Sequence, residues 1–140
     1  MTTDLPTAVT RTRPASAARP LLRAGSLAGL AAAAATTAVA ALGDAAGISP
    51  DIAGEPIPLL GFAQLTFLGA LLGVAIAAVL ARHAAHARTA FLRVTGTLVG
   101  ISFVPDVLAD ATGATKALLM ATHVVAAAIV IPALAARLSD

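Results

Sequence analysis

The sequence lacks several residue types whose absence narrows what the protein can be. Its 140 residues include no cysteine, no tryptophan and no tyrosine, and only 11% of them are charged. Without cysteine the chain can form no disulfide bond, no thiolate metal site and no cysteine nucleophile. No platform of aromatic side chains accompanies the arginines, so the basic pI of about 10.5 does not indicate nucleic-acid binding.

Hydrophobic residues make up 59% of the chain, a share far above that of water-soluble domains. They fall in four apolar segments, at residues 24–46, 58–81, 91–109 and 117–136. Each segment has 19 to 24 residues, and at about 1.5 Å per residue a helix of this length crosses the roughly 30 Å hydrocarbon core of a bilayer. The sequence therefore predicts an all-α protein, a four-transmembrane-helix bundle over residues 21–140 preceded by a disordered cytoplasmic tail over residues 1–20.

Basic residues in the short connections predict the direction of threading, because lysine and arginine accumulate on the cytoplasmic side. One side of the predicted bundle carries all eight arginines, namely Arg11, Arg13, Arg19, Arg23, Arg82, Arg88, Arg93 and Arg137. The other side has Lys116 as its only basic residue, together with Asp51, Glu55 and Asp110. We therefore expect a multi-pass protein of the cell membrane with both its N- and C-termini in the cytoplasm.

The N-terminal segment also has features of a secretory signal peptide, since basic residues precede an apolar run and small residues follow it. The apolar run has about 20 residues, whereas a typical signal core has about 7 to 15. This length favours a retained first helix over a cleaved leader. The intact mass of the purified protein distinguishes the two.

Glycine pairs at four-residue spacing predict where helices pack, because small residues let helix backbones approach each other in lipid. Three of the four segments contain such a pair. The pairs are Gly25 and Gly29, Gly69 and Gly73, and Gly96 and Gly100. In the predicted threading all three lie between mid-membrane and the cytoplasmic side, which predicts a tightly packed inner half. The spacing leaves open whether the pairs close one bundle or join subunits.

Five polar residues near the predicted outer ends of the helices form the candidate functional cluster: Gln64, Asp106, Asp110, Lys116 and His123. Gln64 and His123 each lie six residues inside their segment, about 9 Å deep, and Asp106 lies three residues inside, about 5 Å deep. Hydroxyl groups at similar depth are supplied by Thr66, Thr112 and Thr115. An ionisable side chain in hydrocarbon needs a partner, so it usually faces the bundle interior. We therefore predict an outer-leaflet polar pocket in which Asp106 pairs with His123 and Asp110 pairs with Lys116.

Each of these residues also has a purely structural interpretation. Asp110 and Lys116 are compatible with interfacial loop positions, and Asp106 is compatible with a carboxylate that holds a proline-bent helix end. His123 can form a structural hydrogen bond to Asp106, and Gln64 can form one between helices. The sequence leaves both interpretations open.

No complete catalytic or metal-binding pattern is present in the sequence. It has no glycine-rich phosphate loop after a strand and no Ser-His-Asp order that suggests acyl transfer. His83 and His86 lie three residues apart, but their basic connection favours a lipid-facing loop over a metal pair. Asp106, Asp110 and His123 are plausible metal ligands by type but lack a further buried ligand. We therefore expect no metal and no cofactor, and the pattern favours a protein that is not an enzyme.

Three stretches carry a resemblance to a family: "GEPIPLLGFAQLTFLGALLG", "VPDVLADAT" and "LLMATHVVAAAIVIPAL". They are similar to a family of small four-span actinobacterial membrane proteins of unknown function, over most of the chain from about Arg23 onward. The resemblance implies an integral membrane protein and brings no activity. The chain departs from small multidrug transporters, which as a class rely on aromatic residues and on a carboxylate within the first span. Here the first span has only Asp44, at its outer end.

Three classes of function are compatible with these features. The first is a structural or partner-binding membrane subunit, with membrane lipids and either a second copy or another membrane protein as partners. The second is a pocket that binds or acts on a small apolar molecule or lipid, with Asp106 and His123 as acid and base. The third is a proton- or cation-coupled transporter in which Asp106 titrates from the outer side. It is disfavoured because, apart from Arg93 at the inner end of the third span, no ionisable residue lies in the inner half of any span to continue a path.

Overall fold

The computed structural model describes residues 15–140, so most of the predicted disordered tail lies outside the described residues. Residues 15–20, which the prediction assigned to that tail, are helical. In chain order the described elements are α1 (Ala15–Ala45), β1 (Asp51–Ile52), β2 (Glu55–Pro56), α2 (Leu59–His83), α3 (Ala87–Leu108) and α4 (Gly113–Ala135). All four helices are long and apolar enough to cross a membrane, which confirms the predicted set of four apolar helices.

The local sequence explains where the helices begin and end. α1 is followed by Gly47, whose φ of +85° is the left-handed conformation common just after a helix and favourable for glycine. α4 is capped by Thr112, whose hydroxyl oxygen accepts a hydrogen bond from the Thr115 N–H at 3.1 Å. Only residues 109–112 connect α3 to α4, so the two helices are antiparallel neighbours.

α1 makes the most extensive helix contacts, with α2 and α4, whereas α3 contacts α2 and α4 less extensively. Two glycines explain the close approach of α1. A Cβ atom on Gly25 would overlap the Val74 side chain of α2, and one on Gly29 would lie 2.9 Å from the Ala70 Cβ. The fully buried Leu134 of α4 reaches the same place, with its Cδ2 3.3 Å from a Cβ on Gly25. In lipid this close packing, rather than the hydrophobic effect, favours helix association.

The other two predicted glycine pairs make fewer contacts inside this chain. A Cβ on Gly73 would lie 3.2 Å from a leucine of α4, whereas a Cβ on Gly69 would meet nothing within 4 Å. Gly96 and Gly100 also have nothing within 4 Å, and both are exposed on α3. The glycine face of α3 therefore has no partner among the described residues.

A hydrogen bond between threonines also joins α1 to α2. Thr36 Oγ1 lies 2.9 Å from Thr66 Oγ1, and the Thr36 hydroxyl donates to the Ala33 carbonyl at 3.2 Å. Either hydroxyl can be the donor of the bond between the two threonines. Hydrogen bonds of this kind between helices in lipid contribute about 0.6 to 2 kcal/mol.

A short β-hairpin covers the end of the bundle at the α1–α2 connection. β1 and β2 pair antiparallel, and the turn residues Ala53 and Gly54 have φ values of 53° and 81°, both positive as in a type I′ turn. The Ala53 N–H donates to the Asp110 carbonyl at 2.8 Å, which attaches the hairpin to the α3–α4 connection. Ile52 and Ile57 pack on a small buried apolar cluster beneath. Strands of two residues carry no periodic pattern, so the sequence predicted only a connection here.

Residues 139–140 are bound to the first turn of α3. The Thr89 N–H donates to Asp140 Oδ1 at 2.9 Å, and the Thr89 hydroxyl donates to Asp140 Oδ2 at 3.2 Å. Asp140 thus supplies the capping contact that the side chain of the N-cap residue, His86, does not make. The hydrogen bond from the Thr89 N–H lowers the pKa of Asp140. The Thr89 hydroxyl and the nearby His86 and Arg88 lower this pKa further.

We expect this contact to weaken at acid pH. A carboxyl whose pKa is lowered in the folded state stabilises the fold when ionised, so its contribution is complete at neutral pH and is lost as the pH falls through that lowered pKa. Asp140→Ala should therefore increase the hydrogen-exchange rate of the Thr89 amide severalfold at neutral pH and have little effect at acid pH. Asp110→Ala, which removes a different exposed carboxylate, is the control. Equal exchange in wild type and Asp140→Ala at neutral pH would contradict the assignment.

Candidate functional site

A cavity of about 420 Å³ lies between α2, α3 and α4. It exists because α3 packs less closely than the other helices and because two of the α2 residues that face it, Gly69 and Gly73, have no side chain to fill it. Its apolar wall includes Phe62, Leu65, Gly69, Gly73, Phe91, Leu98, Leu119 and Val130, and Ile52 and Ile57 line it at the hairpin. Its polar wall consists of Thr66, Thr95, Ser102, Asp106, Thr122 and His123. The cavity is therefore an apolar space with a small number of polar groups.

Asp106 of α3 and His123 of α4 meet on the wall of this cavity. Their closest side-chain atoms, Asp106 Oδ2 and His123 Nε2, are 3.4 Å apart, and no other acidic and basic side chains lie within 4 Å of each other among those that the structure describes. The Asp106 side chain is 11% exposed and that of His123 is 42% exposed. The imidazole therefore lies at the edge of the cavity, and the carboxylate lies inside its wall.

The Asp106–His123 contact is not a completed hydrogen bond, and it is an ion pair only when the imidazole is protonated. A separation of 3.4 Å exceeds the 2.7–3.2 Å of a typical N–H···O bond. Asp106 Oδ2 is buried and accepts no hydrogen bond from any residue in the described range 15–140. Leaving a buried acceptor without a hydrogen bond costs about 1–3 kcal/mol of folding free energy, so the presence of this carboxylate calls for an explanation.

Local sequence places the two groups. Asp106 follows Pro105 in the last turn of α3, and the short connection to α4 brings His123 back alongside it. The C-terminal end of a helix disfavours a negative charge, so helix α3 itself does not stabilise the carboxylate. The His123 ring packs edge-on against Phe103, with centroids 6.4 Å apart and an interplanar angle of 79°, which orients the imidazole.

The structure brings together two of the five residues in the predicted polar cluster. Asp106 and His123 lie together as predicted, but Gln64 and Asp110 are exposed and do not line the cavity. The predicted pairing of Asp110 with Lys116 is wrong, because the Lys116 ammonium donates instead to the Val107 carbonyl at 2.8 Å. Lys116 thereby binds a carbonyl at the end of α3, where a cation is favourable.

Three hydroxyl-bearing residues of the cavity wall were not predicted from the sequence: Thr95, Ser102 and Thr122. Ser102 lies four residues before Asp106 and therefore on the same face of α3, a spacing visible in the sequence. Thr122 precedes His123, but adjacent helical residues do not share a face, so its position gave no signal. The predicted hydroxyls Thr112 and Thr115 instead cap α4.

The described residues contain no group of three or more histidine, aspartate or glutamate side chains that could hold a metal ion. The combination of Asp106, Asp110 and His123 considered from the sequence does not form, because Asp110 is exposed and outside the cavity. The site as built offers one carboxylate, one imidazole and several hydroxyl oxygens around an apolar space.

Four apolar helices of membrane-spanning length indicate a multi-pass membrane protein, here with a partly open cavity whose wall carries Asp106 and His123. The chain belongs to a family of unknown function (DUF6069), whose model matches residues 16–140. This match supports the predicted resemblance to a family without an assigned activity. No curated protein and no solved structure matches the chain.

Proposed function

We propose that this protein binds a small, largely apolar molecule or a lipid in the cavity between α2, α3 and α4, and that Asp106 and His123 contact its polar group. The observation that carries the proposal is the position of the pair. Among the described residues, Asp106 is the one carboxylate found within 4 Å of a basic side chain, and both Asp106 and His123 line the cavity.

The size and lining of the cavity support this function. Ligand pockets have volumes of about 300–1,000 Å³ and combine apolar walls with a few converging polar groups. The cavity of about 420 Å³ meets both conditions. An ionisable pair within a membrane-spanning region is also costly, and such pairs mark functional sites by default.

We further propose that the protein resides in the cell membrane with both termini in the cytoplasm, as the eight arginines predict. This threading puts the hairpin and the Asp106–His123 pair toward the outer side. The absence of native cysteine permits a direct test with single cysteines at two exposed positions, Glu55→Cys and Ala85→Cys. An impermeant maleimide added to intact cells should label the first and spare the second, and the reverse pattern would overturn the threading.

Filling the cavity should remove the bound molecule. A Cβ on Gly69 would meet nothing within 4 Å and the residue lines the cavity, so Gly69→Leu should place a leucine side chain in the ligand space without a backbone clash. We expect molecules that co-purify with the wild-type protein in mild detergent, quantified by mass spectrometry, to fall at least about tenfold, equivalent to about 1.4 kcal/mol of lost affinity.

The matched control is Gly96→Leu, the same substitution at an exposed helical glycine outside the cavity. It should retain the bound molecules at the wild-type level. If Gly69→Leu and the control retained the same molecules in the same amounts, the binding function would be refuted.

A partner-binding membrane subunit is the second candidate. It is favoured by Gly96 and Gly100, which are exposed on α3 and have nothing within 4 Å. Because small residues at this spacing let helices approach in lipid, the face fits a helix of a second copy or of another membrane protein. Gly100→Leu should then lower the mass of the oligomer that the protein forms in detergent. If the wild type and Gly100→Leu were both monomeric, self-association through this face would be refuted.

A further inference from the structure

The polar groups of the cavity wall differ in what they can offer to a ligand. A hydroxyl has one hydrogen to donate and lone pairs to accept, so the bonds it already makes determine what remains. In this cavity Thr95 donates to the Phe91 carbonyl and Thr122 to the Leu119 carbonyl, each at 2.7 Å. Ser102 likewise donates to the Val99 carbonyl at 2.7 Å.

The fourth hydroxyl of the wall, that of Thr66, is hydrogen-bonded to the Thr36 hydroxyl at 2.9 Å, and either oxygen can be the donor. Three of the four wall hydroxyls therefore have their hydrogens on backbone carbonyls and present only acceptor lone pairs to the cavity. The Asp106 carboxylate adds further acceptors, and His123 is the only lining side chain with an N–H to offer.

The charged groups on the cavity wall also favour a ligand head that donates hydrogen bonds. Asp106 is the only acidic residue on the wall, and neither lysine nor arginine lines the cavity. The carboxylate oxygen that faces His123 has no hydrogen-bond partner in the described range, and the imidazole nitrogen lies 3.4 Å from it, farther than in a typical hydrogen bond. A wall that is rich in acceptors and poor in donors is complementary to a ligand head that donates.

We infer that the molecule bound here is a lipophilic amine, with its protonated nitrogen against the Asp106 carboxylate and its apolar body along α2 and α4. The inference rests on the proposed binding function and narrows it to one class of ligand. A primary ammonium brings three donors and a positive charge, so it satisfies the unpartnered oxygen and adds a charge-assisted bond. Ser102, four residues before Asp106 on the same face of α3, offers a second acceptor to the same head.

Other ligand heads fit the wall less well. A carboxylate or phosphate head would meet the Asp106 charge with one imidazole as its only donor, so the cavity excludes anions. An alcohol can satisfy the carboxylate oxygen with its one hydrogen but brings no charge, and hydrogen bonds to charged groups are stronger when both partners are ionised. The order of affinity expected for one apolar body is therefore amine, then alcohol, then acid.

Three probes that share one apolar body test this order: 1-pyrenemethylamine, 1-pyrenemethanol and 1-pyrenecarboxylic acid. Each is titrated at neutral pH against the full chain in lipid nanodiscs, with empty nanodiscs as the blank and bound probe counted by native mass spectrometry. We expect the amine to bind the wild-type protein roughly tenfold or more tightly than the alcohol, in line with a charge-assisted bond, and the acid to bind most weakly.

Two variants locate the effect on the carboxylate. Asp106→Asn keeps the shape of the side chain and removes its charge, and it should weaken amine binding roughly tenfold while leaving alcohol binding nearly unchanged. Asp110→Asn removes an exposed carboxylate near the same end of α3 that does not line the cavity, and it should bind the amine as the wild type does.

The possible outcomes distinguish a failure of the amine assignment from a failure of the proposed binding function on which it rests. If the alcohol binds wild type as tightly as the amine, or if Asp106→Asn and wild type bind the amine equally, the amine assignment is overturned. The binding function then survives provided that Gly69→Leu abolishes probe binding. If Gly69→Leu weakens the binding of none of the three probes, both the amine assignment and the proposed binding function are refuted. The comparison of amine with alcohol on the wild-type chain needs no variant, so it decides the assignment even if Asp106→Asn does not fold.

Discussion

Gly25→Leu is expected to lower the free energy of unfolding by about 3 kcal/mol or more, near the upper end of what inserting volume into a packed core costs. Even the first added atom has no space, because a Cβ on Gly25 would overlap Cγ2 of Val74. Val74 is β-branched and its side chain is confined to one preferred rotamer in a helix, so it cannot move aside cheaply. The clash must separate α1 from α2, the pair with the most extensive contact in the bundle.

The measurement is reversible unfolding in mixed detergent micelles, followed by circular dichroism. Gly96→Leu, at a helical glycine with nothing within 4 Å, should not lower the unfolding free energy, because leucine forms helix better than glycine and meets no clash there. A rescue sharpens the test, since Gly25→Ala should destabilise the wild type and be partly restored by Val74→Ala. If Gly25→Leu were as stable as the Gly96 control, the close α1–α2 contact would be refuted.

Phe91→Ala is expected to destabilise the protein by about 3 kcal/mol. Phe91 is the largest of the fully buried side chains, and it packs in the main core cluster while also lining the cavity. The loss comes from missing van der Waals contacts and from the enlarged cavity, because lipid solvates an exposed phenyl ring about as well as the core does.

The comparison for this substitution is Leu92→Ala, one position further along α3 on an exposed face. It should cost less than about 0.5 kcal/mol in the same unfolding assay. Phe91→Ala should also weaken the binding of any cavity ligand, because the ring forms part of the wall. Equal stability of the two variants would show that α3 is not anchored through Phe91.

The helices could be predicted from the sequence because membrane-spanning length is a one-dimensional property. Four apolar runs of 19 to 24 residues became four helices whose ends differ from the predicted ones by several residues. The Asp106–His123 contact was predictable for a related reason, since residue counts from the segment ends give depth directly. Two polar groups at similar depth on adjacent antiparallel helices can meet if both face inward.

Properties that depend on which face meets which neighbour could not be predicted. The glycine pairs of α1, α2 and α3 share one spacing, yet Gly25 lies at a close helix contact, Gly69 lines the cavity and Gly96 is exposed. The pairing of Asp110 with Lys116 failed because Lys116, in the first turn of α4, is long and flexible enough to reach a backbone carbonyl of α3 as easily as the carboxylate of the connection.

The contact between α1 and α4 has a consequence for how the protein is made. The first and last helices of the chain pack on one another, and Leu134 of α4 reaches the glycine surface of α1. During synthesis α1 and α2 can associate as soon as both are in the bilayer, but the remaining surface of α1 stays lipid-exposed until α4 is inserted. A chain interrupted before α4 would therefore present an unfinished helix surface to the membrane, the kind of surface on which membrane chaperones and proteases can act.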